Sequence, residues 1–341
     1  MQQIQSAKCI ISSLQSKKIL FITTKNLSYI RNTQEITLIK ETTDSYAVIG
    51  SSHKSYFVRL FKVYSKLLAA SLCNYDIIWI GFAPQLILPL FQHKFKKAKA
   101  RVIEDFFISM FDTFCCDRKK IKPDSLPGKL LHYIDQITLF HADAIICDTN
   151  AHGQYFIDEF NAIPEKIYTL YLQADTSIYH PMAIPRPGYL KGKCVILYFG
   201  SVLPLQGVDV VLEAMSLLRD QEELYFYFIG HIIDKHLIAS KPISDNIEYI
   251  DWLSQEDLAK YINYSNLCLA GHFNSSIDKA RRTIPGKAYI YQAIKKPMIL
   301  GDNPANHELF MNDPNVTFVE MGNAQALARA ILSFKCTLRQ M

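Results

Sequence analysis

The chain has 341 residues, 49% hydrophobic and 20% charged, with eight cysteines and a formal net charge of +5. That length is generous for one domain and comfortable for two. The composition excludes a disordered or fibrous chain. Cys9, Cys73, Cys115, Cys116, Cys147, Cys194, Cys268 and Cys336 never fall at zinc-ligand spacing, so they read as free thiols in a reducing cytoplasm. The first twenty residues lack the basic, apolar and small-residue order of a secretory signal. The longest uncharged stretch, 77–92, holds Pro84 and Pro89 and is shorter than the roughly 20 residues of a membrane-spanning helix. It reads as a buried strand followed by a helix.

Along the chain, short β-branched or aromatic runs alternate with amphipathic stretches, the rhythm of parallel sheets covered by helices. Strands are predicted at 18–23, 46–50, 76–81, 100–104, 143–147 and 166–171, with the clearest helices at 55–73 and 127–141. Residues 179–192 carry Pro181, Pro185 and Pro187, which forbid a continuing helix or central strand. The rhythm then restarts with strands at 194–200, 224–230, 246–250, 266–271 and 297–302. The expected organisation is an N-terminal α/β domain over 1–180, a linker over 181–192 and a second α/β domain over 193–341, whose last helix reaches back to the first domain. Strands apolar on both faces that end in Gly put ligand-binding loops at the carboxyl edge of a doubly wound sheet. With two such sheets, the expected site is a cleft between them.

Two segments of the second half carry chemistry. In FGSVLPLQGVDVVLEAM (199–215), Gly200 closes a strand and Gly207 opens a helix, so backbone N–H groups can approach an anion closely. A plain tight turn explains the same glycines. In 278–302, Lys279, Arg281, Arg282 and Lys287 precede or enter a helix marked by Pro285. Cations at a helix N-terminus can neutralise a departing diphosphate without a metal. A solvated basic loop is the alternative. Gly230 and His231, and Gly271 and His272, sit at strand ends where they would lie close to the same ligand.

Together these segments resemble the donor-binding half of family 4 GT-B glycosyltransferases. Residues 200–214 match the family's GxxxPLxGVxxxxxA stretch and 279–299 match KAxRxIPxKxxExxAxxKPxI, followed by a glutamate matching Glu308. In the first half, EDFFISMFDTFCCDRKK (104–120), YIRN (29–32) and ADAIICDTNAHGQYF (142–156) are similar to a subgroup of these enzymes. The resemblance implies a GT-B fold and a retaining hexosyl transfer, as in polysaccharide biosynthesis. The donor would be a UDP- or GDP-linked sugar acting as co-substrate, with no other cofactor and no metal. The β-phosphate of the leaving nucleotide would itself accept the acceptor's proton. Donor contacts would come from Arg31, Gly200, Ser201, Gln206, Gly207, Gly230, His272, Lys279, Arg282, Lys287 and Glu308. Acceptor contacts would come from Asp105, Asp112 and Arg118, with Asp112, Asp117 and Lys287 catalytic. Asp112, Asp117 and Arg118 read equally well as capping and ion-pair residues of a short surface helix.

The chain departs from the pattern in two places. The basic pair many members carry in the first Gly-rich loop falls here at Ser201 and Gln206, and the glutamate that grips the nucleotide ribose falls at Ile290. An apolar side chain accepts no hydroxyl hydrogen bond. A ribose hydroxyl left unpaired costs about 1–3 kcal/mol, a tenfold to hundredfold loss of affinity. A non-catalytic relative that binds a nucleotide sugar and serves as a scaffold or regulator of a partner transferase is therefore the second expectation.

The charge excess is confined to residues 1–185, which hold 21 Lys/Arg against 16 Asp/Glu, whereas 186–341 hold 16 of each. The run HKFKKAKAR (93–101) follows apolar Leu86, Ile87, Leu88 and Leu90, a pairing that suits the inner face of an anionic membrane and a glycan or lipid-linked acceptor. A lysine-solubilised connection suits it equally. The cations are too local for a nucleic-acid surface.

Overall fold

In a computed structural model, the structure describes residues 4–340, with side chains through 334. The chain divides into two compact units, Met1–Gln173 and Ala174–Met341.

The first unit is built on a seven-stranded sheet of β1 (Gln5–Ser6), β2 (Ile19–Ile22), β3 (Tyr46–Ile49), β4 (Ile77–Ile80), β5 (Arg101–Asp105), β6 (Ala144–Cys147) and β7 (Ile167–Thr169), in the order β1-β7-β6-β5-β4-β2-β3. Every pairing is parallel. β2, β4 and β6 are buried at every position, as apolar runs such as IIWI require when helices cover both faces. The helices are α1 (Lys8–Ser12), α2 (Ile30–Thr42), α3 (Tyr56–Ala69), α4 (Leu88–Ala98), α5 (Leu126–His141) and α6 (Asn150–Phe160). Val63, Leu67, Phe91, Phe95, Leu139 and Phe156 put α3 to α6 into one core on one face of the sheet. Ile10, Leu14 and Ile39 put α1 and α2 into a second core with Trp79. Side-chain caps start helices where the sequence offers them: Ser125 Oγ accepts from Gly128 N, and Thr149 Oγ1 from His152 N.

The second unit carries β8 (Cys194–Phe199), β9 (Leu224–Ile229), β10 (Ile247–Ile250), β11 (Leu267–Gly271), β12 (Met298–Gly301) and β13 (Val316–Val319), all parallel, in the order β10-β9-β8-β11-β12-β13. Its helices are α7 (Val208–Leu217), α8 (Lys235–Ala239), α9 (Gln255–Tyr264), α10 (Lys279–Arg282), α11 (Gly286–Ala293), α12 (Pro304–Phe310) and α13 (Ala324–Gln340). The chain enters at β8, builds outward through β9 and β10, then crosses to β11 on the other side of β8. That reversal opens a crevice at the carboxyl ends of β8 and β11, where open α/β sheets bind ligands. Each expected strand is present within a few residues; β1 and β13 are additional.

The proline-rich stretch expected as a linker lies on the second unit. Met182 N donates to Asn263 Oδ1 at 2.9 Å, the Tyr189 and Tyr227 hydroxyls meet at 2.7 Å, and Leu190 is fully buried. Described side chains of α13, Leu327 and Ile331, join the second unit's own core beside α7. The rest of that helix, on which the expected reach to the first unit depends, lies outside the described side chains. The apolar face expected over 86–101 is largely interior: Ile87, Leu88, Phe91 and Phe95 are core residues, and Leu90 is the exposed one. No helix among the described residues is long and apolar enough to cross a membrane.

Candidate functional site

The site of the second unit grows out of three loops at the switch point. β8 is followed by Gly200, whose φ is +138°, and the chain passes a short turn (Pro204–Gln206) to Gly207. Gly207 is the N-cap of α7 in the left-handed region (φ 66°, ψ 48°), and a Cβ there would sit 2.6 Å from Asn274 N and from the carbonyl carbon of Phe273. Only glycine satisfies both the angle and the approach. The loop after β11 is fastened to it: Phe273 N donates to Gln206 O at 3.1 Å, and Asn274 Nδ2 to Pro204 O at 2.9 Å. After β9, Gly230 packs so closely on the Gly200 carbonyl oxygen that a Cβ would collide with it.

Lys287 rises into this crevice from the first turn of α11. That helix has Pro285 as N-cap and no side-chain cap, so its leading N–H groups are not tied by a capping side chain. The Lys287 ammonium is buried, with no hydrogen-bond partner among the described residues. Its Nζ lies 3.8 Å from the Tyr198 ring centroid and 3.4 Å from where a Gly200 Cβ would be. Burial pushes its pKa well below the ordinary lysine value.

The other expected cations are arranged differently. Lys279, Arg281 and Arg282 form the separate short helix α10, which Thr283–Pro285 breaks from α11. Arg281 is exposed, while Lys279 and Arg282 are half-buried. The extended backbone at Thr283 and Pro285 divides the two helices, so three of the cations precede α11 and Lys287 enters its first turn. Ser201 is exposed, Gln206 and Glu308 are half-buried, and His272 is buried beside Gly271. Ile290 sits one turn beyond Lys287, half-buried.

Next to Gly200 and Gly230 opens a cavity of about 550 Å³ lined by residues following β8, β9 and β10, among them Val202, His231, Asp251 and Trp252. Trp252 is 77% exposed. His231 Nδ1 pairs with Asp251 Oδ1 at 3.2 Å on the open rim. Asp251 and Trp252 were missed from sequence, although a Trp immediately after the strand at 246–250 was the available signal.

In the first unit, Arg31, expected as a donor contact, is the second residue of α2 and fully buried. Its Nε and Nη2 each bond Asp105 at 3.0 Å, and its Nη1 donates to Leu170 O at 2.6 Å. The two residues assigned separate ligands from sequence satisfy one another in the interior. Asp112 and Asp117 are also buried, in a π-helical turn over Asp112–Asp117, and not on a surface helix; Arg118 beside them is exposed. The organiser of that turn is Asp135, which accepts from Ser109 Oγ, Met110 N, Phe111 N and Gln85 Nε2 at 2.7–3.1 Å. His152 pairs with Asp148 at 2.6 Å. No group of three or more His, Cys, Asp or Glu arranged to hold a metal occurs among the described residues.

With this geometry in hand, comparison with known proteins defines the class. Residues 193–335 match the family model described as Glycosyl transferases group 1. Among solved structures, the chain is similar to a glycosyltransferase from Rickettsia africae ESF-5 (18% identity, TM-score 0.62, covering 95% of this chain and 89% of that one). It is similar to sucrose-phosphate synthase from Thermosynechococcus elongatus (12%, TM-score 0.67, 94% and 90%). It is also similar to Anabaena Alr3699/HepE in complex with UDP (12%, TM-score 0.63, 93% and 89%). No curated protein matches the chain. The fold is GT-B, and the second unit carries the match to a group 1 glycosyltransferase domain.

Proposed function

We propose that the protein transfers a hexose from a UDP- or GDP-linked donor, with retention and without a metal, to a glycan or lipid-linked acceptor. The observation that carries the reading is Lys287: a buried ammonium lacking a hydrogen-bond partner among the described residues, beside the open Gly200 loop and the uncapped start of α11. A diphosphate placed there would gain the lysine charge, the helix dipole and backbone N–H groups together. Trp252 offers an aromatic face for the base in the adjoining cavity.

In the reaction, the bond from the sugar's anomeric carbon to the β-phosphate oxygen breaks while the acceptor oxygen attacks from the same face. The acceptor's proton passes to the departing β-phosphate. Lys287 stabilises the charge that develops on that phosphate, a term felt more in the transition state than in the ground state. Structures of Anabaena Alr3699/HepE with UDP and with UDP-glucose support a nucleotide-sugar donor here by analogy of fold.

The test is a thermal-shift panel of nucleotides and nucleotide sugars, followed by donor hydrolysis and transfer assays with the stabilising ligand, with and without chelator. A UDP or GDP sugar should raise the melting temperature, turnover should survive chelation, and Lys287→Ala should lose turnover while remaining folded. Unchanged turnover in Lys287→Ala overturns the role. Ile290 favours a second reading, a nucleotide-sugar-binding scaffold for a partner transferase. Tight binding with no hydrolysis or transfer across acceptors would select it.

A further inference from the structure

Another cavity, of about 700 Å³, opens at the amino edge of the second sheet, the edge opposite Gly200. Tyr189, Tyr225 and Asn246 line it, together with the turn that leads into β9 and the residues just before β8 and β10. The two tyrosine rings are anchored. The Tyr225 hydroxyl donates to Glu248 Oε2 at 2.9 Å, and the Tyr189 hydroxyl meets that of buried Tyr227 at 2.7 Å. The ring centroids of Tyr189 and Tyr225 are 5.8 Å apart with their planes inclined at 58°, and Tyr227 backs Tyr225 at 5.3 Å. Tyr189 is nonetheless 55% exposed. Anchored aromatic rings offer contact area with little conformational entropy left to lose.

The polar groups choose the ligand. Asn246 is buried, and its Nδ2 donates to Gln221 O at 3.2 Å, which leaves Oδ1 a buried acceptor with no hydrogen-bond partner among the described residues. A buried acceptor left unmade is costly, and a ligand hydroxyl would satisfy it. In the same lining, Lys193 and Arg219 stand among Asp220, Glu222 and Asp245, so carboxylates outnumber cations. That balance disfavours a phosphate or any other polyanion, and two phenol rings are too little for an acyl chain. A neutral sugar chain suits the rings and the polar groups together. Its hydroxyl groups donate to carboxylates and to Asn246 and accept from lysine and arginine, while its C–H faces stack on tyrosine. We propose that this cavity holds a short stretch of neutral glycan, at the edge of the sheet opposite the candidate donor crevice. The site does not depend on the transfer reaction.

The test is binding of the labelled full chain to an array of neutral oligosaccharides of glucose, galactose, mannose and N-acetylglucosamine, followed by calorimetric titration of the best-bound sugar. Binding is expected to be insensitive to salt, because the ligand carries no charge. Tyr189→Ala should lose about tenfold in affinity, whereas Tyr189→Phe, which keeps the ring, should retain it. Asp245→Ala changes an exposed position and should lose about fivefold, so the proposal stays refutable even if Tyr189→Ala fails to fold. Saturating UDP or GDP should not displace the sugar, and Tyr189→Ala should hydrolyse donor as the parent does. Should the transferase reading fail, sugar binding and its loss in Tyr189→Ala would still be measured. Absence of binding across the array overturns the proposal. So does affinity unchanged in both Tyr189→Ala and Asp245→Ala, or displacement of the sugar by UDP or GDP.

Discussion

The Lys287 ammonium stands 3.8 Å over the face of Tyr198, within the second unit's core edge and without a hydrogen-bond acceptor among the described residues. The ring quadrupole offsets part of the cost of burying the charge, on the order of 1–2 kcal/mol. A hydrogen-bonded ion would be stabilised more. The protein therefore carries a cost that the proposed diphosphate would remove. Lys287→Met should accordingly melt at or above the parent temperature, with a gain of about 1 kcal/mol in denaturant titration. Lys287→Ala should lose turnover by about a hundredfold or more. A variant that both unfolds and loses activity would assign Lys287 to packing instead.

Gly207 ties the loops after β8 and β11 into one surface. Gly207→Ala would hold a Cβ at a left-handed φ and drive it onto Asn274 N and the Phe273 carbonyl carbon. Strain and overpacking each cost about 1–3 kcal/mol. The expected result is a lower melting temperature together with weaker nucleotide binding, because the Gln206–Phe273 hydrogen bond must shift. Nucleotide affinity equal to the parent's would show that the loop junction does not shape the site.

The sheets were legible because their strands are apolar on both faces: ILFI, IIWI and CVILYF admit little else between helical stretches. β13 was missed since it is an edge strand with only its last residue buried, so VTFV gives no continuous apolar signal. The place of Lys287 in the first turn of α11 was legible from Pro285. The interior role of Arg31 was not, because its partner, 74 positions away, is brought to it only by the β2-to-β5 arrangement. Asp135 escaped for the same reason: its four donors come from Gln85 and from residues 109–111, and only the fold unites them.

The Arg31–Asp105 pair makes a separate claim about stability. Removing one partner leaves a buried charge uncompensated, at about 3–5 kcal/mol. Arg31→Met should be strongly destabilised in urea titration. Adding Asp105→Leu to it should recover much of the loss, since two apolar groups replace the pair. A double variant as unstable as the sum of the singles would show that the pair does not couple.

Glu104, in the middle of the first sheet, is fully buried with both carboxylate oxygens lacking hydrogen-bond partners among the described residues. Burial, then the neighbouring Asp135 and Asp105 charges, raise its pKa well above the ordinary value. The folded chain holds this proton while the unfolded chain releases it above about 4.3. Its contribution is thus full below that pH and is lost as pH rises through the folded value. Glu104→Gln should gain about 1–3 kcal/mol at about pH 8 and show a flatter pH dependence. Equal slopes in parent and variant would mean that Glu104 ionises without cost.

Proton uptake gives the sharpest test of the donor site. Burial lowers the Lys287 pKa in the folded protein, while the unfolded lysine keeps a value of about 10.4. Between the two, the unfolded chain binds more protons, so this lysine's penalty is full below the folded value and fades as pH rises towards the unfolded one. A diphosphate reverses the balance, because an adjacent anion favours the ammonium and raises its pKa again. Above the lowered value, nucleotide binding must then draw a proton from solution. Calorimetric titration with UDP or GDP in buffers of different ionisation enthalpy should report that uptake in the parent and none in Lys287→Met, with affinity falling as pH rises. Identical proton uptake in the two proteins would remove Lys287 from contact with the phosphates.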